Sequence, residues 1–164
     1  APEMAKFRSS KSHSSERRHL PPCQVSLFRP SLDIAKHYLD IEQLRFGERL
    51  SIVWKVPDAI PPVTVPSLSI QPLVENAIRH GVELRPGASQ IVVEVRQTSD
   101  TIVVEVSSPL PPDKTTARTG HQVGLAAVRA RLHDLDSRMG LQTMTQGDQF
   151  LAALHAPLAE IPSR

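Results

Sequence analysis

The stretch LSIQPLVENAIRHGVE, at positions 68–83, decides the fold. Its apolar residues Ile70, Leu73 and Ala77 recur at the three- and four-residue spacing of a helix that packs one face on a core. Two of its polar residues, Asn76 and His80, are four apart and therefore share a face. This arrangement predicts a helix that lines a cleft. The alternative is that the polar residues are ordinary exposed positions.

The flanking patterns predict a two-layer α+β sandwich. The later strands come in hairpins, so we expect a mixed, mostly antiparallel sheet with the helices covering one face. A polar loop is expected over 108–123, and Ser31 is the expected N-cap of the first helix. The predicted elements are a helix at 32–47, a strand at 50–56, strands at 90–97 and 101–108, a helix at 124–138, and strands at 141–145 and 149–156.

Length and composition exclude several classes of protein. The 164 residues fit one domain, and the single cysteine, Cys23, allows no internal disulfide. No apolar run is long enough to span a membrane, and the few aromatic residues offer no stacking platform for nucleic acid. We expect residues 1–24 to be a disordered basic linker or a non-native tail, 25–158 to be the domain, and 159–164 to be a tail.

Two segments carry residue types suited to nucleotide chemistry. The amide oxygen of Asn76 is a hard ligand for Mg²⁺, which takes few protein ligands beside phosphate and water, and the Glu75 carboxylate could orient a water. The run GHQVGL, at 120–125, places two glycines directly before a predicted helix. Backbone N–H groups in such a position favour phosphate.

Three stretches together resemble a known family: YLDIEQLRFGERL (38–50), VPSLSIQPLVENAIRHGV (65–82) and GLAAVRARL (124–132). They are similar to the ATP-binding catalytic domain of bacterial LytS/AlgZ-type sensor histidine kinases, which belong to two-component systems. The resemblance covers about residues 31–157. It implies the Bergerat fold, an α/β sandwich shared with gyrase-type and heat-shock-type ATPases.

The resemblance also implies roles for individual residues. Asn76 matches the asparagine that holds Mg²⁺ against the ATP phosphates, and Glu75 beside it is the second implied catalytic residue. Arg131 matches a basic residue on the helix after the lid that closes over ATP. The implied cofactors are ATP and Mg²⁺, and the implied ATP-binding residues are Asn76, Arg79, His80, Gly81, Ser108, Gly120, Gly124 and Leu125.

The sequence departs from the family at three positions. Ser108 stands where an Asp or Asn usually meets the adenine amino group, Gln122 replaces a lid glycine, and Ala127 replaces an asparagine. Two functions therefore remain open. One is a histidine kinase domain that donates the ATP γ-phosphoryl to a histidine on a separate dimerisation segment. The other is a degenerate domain that acts as an interaction module with weak or no ATP binding.

The family's context implies partners and a location. The phosphoacceptor motif is not among these 164 residues, so we expect it in another segment of the parent protein. The implied partners are that segment and a LytTR-type response regulator, with no direct contact to nucleic acid. We expect a soluble, cytoplasmic domain of a dimeric kinase anchored in the inner membrane.

Overall fold

The computed structural model describes residues 24–112 and 114–158, with side chains at all of these positions except 114–123. Seven strands and three α-helices make up this part of the chain. The predicted tail at 159–164 and residues 1–23 of the predicted linker lie outside the described residues.

A five-stranded sheet forms one layer. Its strands are β2 (Leu50–Lys55), β4 (Ser89–Gln97), β5 (Thr101–Pro109), β6 (Gly140–Gln146) and β7 (Gln149–Pro157). They lie in the order β2-β4-β5-β7-β6. Only the β2–β4 pair is parallel, and the other three pairs are antiparallel, which confirms the predicted mixed sheet.

The second layer is helical. It contains α1 (Phe28–Phe46), α2 (Gln71–Asn76) and α3 (Lys114–Leu135). A π-helical segment, Ala77–Val82, continues α2 without a break, and we call it the π segment. The helix predicted around 68–83 is therefore present, but its second half winds with wider turns.

The core lies between the helices and one face of the sheet. Alternate residues of β4, β5 and β7 are buried there, as the period of a strand requires. The buried set includes Ile91, Val104 and Leu154 from the strands, and Leu73 and Leu132 from the helices. This confirms the predicted two-layer sandwich with helices on one face.

The first helix begins earlier than predicted. It starts at Phe28, so Ser31 lies inside it, is buried, and shares a hydrogen bond of 2.6 Å with the Ser26 hydroxyl instead of acting as an N-cap. Pro30 is tolerated because the first turn of a helix does not need its N–H. The Pro-rich run PDAIPPVTVP, at 57–66, predicts a plain connection, and this prediction is wrong in part. The run contains β3 (Thr64–Pro66), which pairs antiparallel with β1 (Val25–Leu27).

The predicted loop at 108–123 is largely helical. Strand β5 runs to Pro109, and α3 begins at Lys114, ten residues before its expected start at 124. The prolines at 109, 111 and 112 end the strand, and the span from Lys114 to Leu135 contains none, so a helix can form there. The helix ends at Leu135 rather than at 138.

Candidate nucleotide site

Asn76 is the last residue of α2 and only 8 % exposed. Helix α2 packs against both α1 and α3, and its apolar residues Leu73 and Val74 are fully buried. A buried amide is held in a defined orientation because its polar atoms need partners. The predicted magnesium ligand is therefore a fixed group in the helical layer.

Glu75 points to a different neighbour. Its carboxylate accepts a hydrogen bond of 2.7 Å from the Gln71 side chain, one turn earlier on α2. It also lies near Tyr38 of α1. Burial, then the charge of Glu42 and then the charge of Glu75 raise the pKa of the Tyr38 phenol to about 12. Glu75 thus belongs to the α1–α2 contact, about 100° around the helix from Asn76.

The closest approach in the site joins the π segment to the end of β5. A Cβ built on Gly81 would lie 2.8 Å from the Ser108 Cβ, 2.9 Å from the Ser108 Oγ and 3.1 Å from the carbonyl oxygen of Pro109. Only glycine fits there without displacing strand backbone. The Gly81 carbonyl also accepts a hydrogen bond of 3.3 Å from the Ser89 hydroxyl. Two predicted ATP-binding residues that are distant in sequence are thus in contact.

Ser108 is 1 % exposed, and its hydroxyl has no hydrogen-bond partner among the described residues. An unpaired buried hydroxyl is unfavourable by about 1–3 kcal/mol, so such a group marks a place where a ligand or a water is expected. Its neighbour in sequence, Ser107, faces the opposite side of the sheet.

His80 is partly buried in the π segment, and its neighbour Arg79 is exposed. Burial, and secondly the Arg79 charge, lower the pKa of the His80 imidazole below its ordinary value. A neutral imidazole at pH 7 can donate or accept a hydrogen bond. His80 is thus suited to bond a polar group of a ligand rather than to neutralise a phosphate charge.

Arg131 connects α3 to the segment that leads into α2. Its guanidinium donates a short hydrogen bond to the carbonyl oxygen of Ser67, while the Ser67 N–H donates to the carbonyl oxygen of Gln24 at 2.8 Å. The next residue, Leu68, has a positive φ of 58°, which is uncommon for leucine. Arg131 therefore fixes a strained junction before α2, a role that sequence spacing did not reveal.

The glycine-rich run is only partly described. Gly120, Gln122 and Gly124 all lie within α3, which begins at Lys114, so the predicted position of the two glycines directly before a helix is wrong. Gly124 is exposed, with no atom within 4 Å of an added Cβ, and Leu125 is buried in the core. The structure therefore brings Asn76, His80, Gly81 and Ser108 onto the α2–π helix and the β5 end facing it, and leaves Arg79 on the surface.

A second concavity lies on the uncovered face of the sheet. It has a volume of about 400 Å³ and is lined by residues that include Arg96, Glu105, Met144, Leu151 and His155. None of the predicted nucleotide-binding residues lines it. Strand alternation places it on the side of the sheet away from the helices.

The residues present fit Mg²⁺ with a nucleotide. In the described part of the chain no three His, Cys, Asp or Glu side chains gather to hold a metal ion. A single buried amide, Asn76, still suits Mg²⁺, which takes one or two protein oxygens when phosphates supply others. The unpaired Ser108 hydroxyl in turn offers a polar contact for a base.

Solved structures show the same fold. The catalytic domain of histidine kinase ThkA superposes with a TM-score of 0.61 at 13% identity, covering 82% of this chain and 95% of that chain. Histidine kinase AdeS of Acinetobacter baumannii superposes with a TM-score of 0.60 at 16% identity, covering 84% of this chain and 68% of that chain. The chain therefore has the fold of a histidine kinase catalytic domain.

Relatives in sequence narrow the class. No known family model matches the chain. The uncharacterized protein YwpD of Bacillus subtilis is 34% identical over 74% of this chain and 41% of its own length. Sensor histidine kinase YesM of the same organism is 34% identical over 61% of this chain and 18% of its own length. Sensor protein LytS of Enterococcus faecalis is 36% identical over 46% of this chain and 13% of its own length. The chain thus spans less than half the length of these relatives.

Fold and relatives agree on one class. The chain is a histidine protein kinase catalytic domain, as the sequence predicted. Within that class it is related to the LytS-type sensor histidine kinases of two-component systems. None of the helices in the described part of the chain has the length and apolarity that crossing a bilayer requires.

Proposed function

We propose that this chain binds Mg-ATP beside the α2–π helix and donates the γ-phosphoryl to a histidine on another segment of its parent protein. The observation that carries the proposal is the contact between Gly81 and Ser108. It joins the helix that holds the predicted Mg²⁺ ligand, Asn76, to the strand end predicted to meet the base. This contact supports a nucleotide site whose two predicted halves are neighbours.

Each residue has a defined part in this proposal. The Asn76 amide oxygen would hold Mg²⁺, which supplies charge neutralisation at the phosphates when bound. His80 and Gly81 would border the nucleotide from the π segment. Arg131 holds the segment before α2 through the Ser67 carbonyl oxygen, and Glu75 is held by Gln71 within α2. Catalysis of this kind is mainly positioning and electrostatic stabilisation.

The transfer itself needs a nucleophile from outside these residues. A nitrogen of the accepting imidazole forms the new bond to the γ-phosphorus, the bond to the β-γ bridging oxygen breaks, and ADP leaves. The imidazole proton goes to solvent. Transfer onward to an aspartate of a LytTR-type response regulator completes the proposal. A solved complex of histidine kinase ThkA with response regulator protein TrrA supports a regulator as partner.

Labelled phosphate tests the proposal directly. The chain is incubated with γ-labelled Mg-ATP, alone and with a fragment of the parent kinase that carries its phosphoacceptor histidine. We expect label on the fragment and none on the chain alone. Asn76→Ala should abolish the label, whereas His133→Ala, an exposed position near the end of α3, should leave it unchanged. Transfer that survives Asn76→Ala would refute the assigned role.

One observation favours the second candidate, an interaction module without turnover. Ser108 stands where the family carries an acidic or amide side chain, and a serine is smaller and uncharged. Losing a charge-assisted hydrogen bond to the base weakens binding by about 1.5–3 kcal/mol, which is roughly ten- to a hundredfold. If the folded chain bound no nucleotide at millimolar concentration, this second function would replace the first.

A further inference from the structure

The Ser108 hydroxyl is a buried polar group at the end of β5. It is almost fully buried, lies against Gly81 of the π segment, and has no hydrogen-bond partner among the described residues. The glycine matters because any larger residue there would collide with Ser108. The space at this position therefore holds only a small side chain. The hydrogen bonds that the Ser108 hydroxyl can make would then decide which base the site binds.

A hydroxyl differs from a carboxylate in the hydrogen bonds it can make. Serine offers one donor and two acceptor lone pairs and rotates to suit its partner, whereas an ionised carboxylate only accepts. Adenine presents an amino donor at the position where guanine presents a carbonyl acceptor. A carboxylate therefore binds adenine and repels guanine at this edge, while a serine hydroxyl can pair with either.

The burial of Ser108 leads to the same expectation. A base that does not touch the hydroxyl directly would reach it through a water, and a bridging water contributes nearly as much as a direct bond. Water also both donates and accepts. Neither route contains the acceptor-only group that excludes guanine.

We propose that Ser108 makes this site accept adenine and guanine nucleotides with similar affinity, so that the chain is a purine-nucleotide-binding domain rather than an adenine-specific one. This inference rests on the proposed nucleotide site. It concerns only the base, because the proposed Mg²⁺ ligand is Asn76, on the α2–π helix.

Calorimetric titrations of the full chain with Mg-ADP and Mg-GDP test it. We expect dissociation constants within about threefold of each other, and about 3- to 10-fold weakening of both by Ser108→Ala, the effect of losing one neutral hydrogen bond. Ser108→Asp should restore a preference for Mg-ADP of about 5- to 150-fold, provided that circular dichroism shows the variant to be folded.

The outcomes separate this inference from the proposed function. A wild-type preference for Mg-ADP of more than about tenfold would overturn the relaxed base selectivity while leaving the nucleotide site intact. Unchanged affinity for both nucleotides in Ser108→Ala would show that Ser108 contacts no base, and would also overturn it. If the folded chain bound neither nucleotide, the proposed function itself would fail.

Discussion

Gly81→Ala tests the contact on which the site depends. Carbon atoms pack best about 3.5–4.0 Å apart, but the new Cβ would lie 2.8 Å from the Ser108 Cβ. Its other neighbours are the Ser108 Oγ at 2.9 Å and the Pro109 carbonyl oxygen at 3.1 Å. Both residues belong to β5 and pair with Phe150 and Gln149 of β7, so this end of the strand cannot move away easily.

Overpacking of this kind is unfavourable by about 1–3 kcal/mol, and the better helix propensity of alanine returns at most about 1 kcal/mol. We expect a net loss of about 1–2 kcal/mol in the free energy of unfolding, measured by urea titration. For a chain of this size that lowers the Tm by about 2–8 °C. Gly87→Ala is the matched control, because nothing lies within 4 Å of its added Cβ, and it should change stability by less than about 0.5 kcal/mol.

A double-mutant cycle isolates the contact. Ser108→Gly removes both close atoms and leaves only the Pro109 carbonyl oxygen at 3.1 Å. Gly81→Ala should therefore be milder by at least about 0.5 kcal/mol in the Ser108→Gly background than in the wild type. An additive cycle, or a Gly81→Ala variant as stable as wild type, would show that Gly81 of the π segment does not pack closely against Ser108 of β5.

Three further results are expected. Burial and the Arg79 charge lower the folded-state pKa of His80, so the unfolded chain binds this proton more readily. The contribution of His80 to stability is therefore complete above about pH 6.5 and falls as the pH drops below it. We expect His80→Gln to flatten the slope of stability against pH between pH 5 and 7, measured by urea titration. Arg131→Ala should lower the free energy of unfolding by about 1.5–3 kcal/mol through loss of the charged bond to the Ser67 carbonyl, and equal stability would remove that residue's positioning role. Gly124→Ala should raise Tm, because α3 gains up to about 1 kcal/mol of helix propensity and no contact opposes the methyl group; a lower Tm would contradict its open surroundings.

The two-layer architecture followed from periodicity. Strand runs such as IVVEV alternate buried and half-buried residues, and this pattern reports directly which face meets the core. The helix around 68–83 was equally clear because its apolar residues recur at helical spacing. Its π winding was not predictable, since residues 77–82 carry no signal that separates a π-helical turn from an α-helical one.

Element ends were predicted less well for physical reasons. The pairing of β1 with β3, which joins three residues of each strand, depends on a long-range contact, so no local sequence pattern predicts it. Polar residues at 114–123 suggested a loop, yet polar composition does not prevent a helix once the prolines have passed. For the proposed site, the resemblance predicted Asn76, Gly81 and Ser108. That Gly81 and Ser108 touch, and that Arg131 reaches Ser67, required the fold.

The most direct test of the account is a calorimetric titration of the chain with Mg-ATP, repeated with EDTA and with the Asn76→Ala and His133→Ala variants. The account predicts saturable binding by the wild type and by His133→Ala. Binding should be strongly weakened when Mg²⁺ is removed and lost in a folded Asn76→Ala variant. No binding by the folded wild type up to millimolar Mg-ATP, or binding indifferent to both Asn76 and Mg²⁺, would contradict a nucleotide site at the α2–π helix.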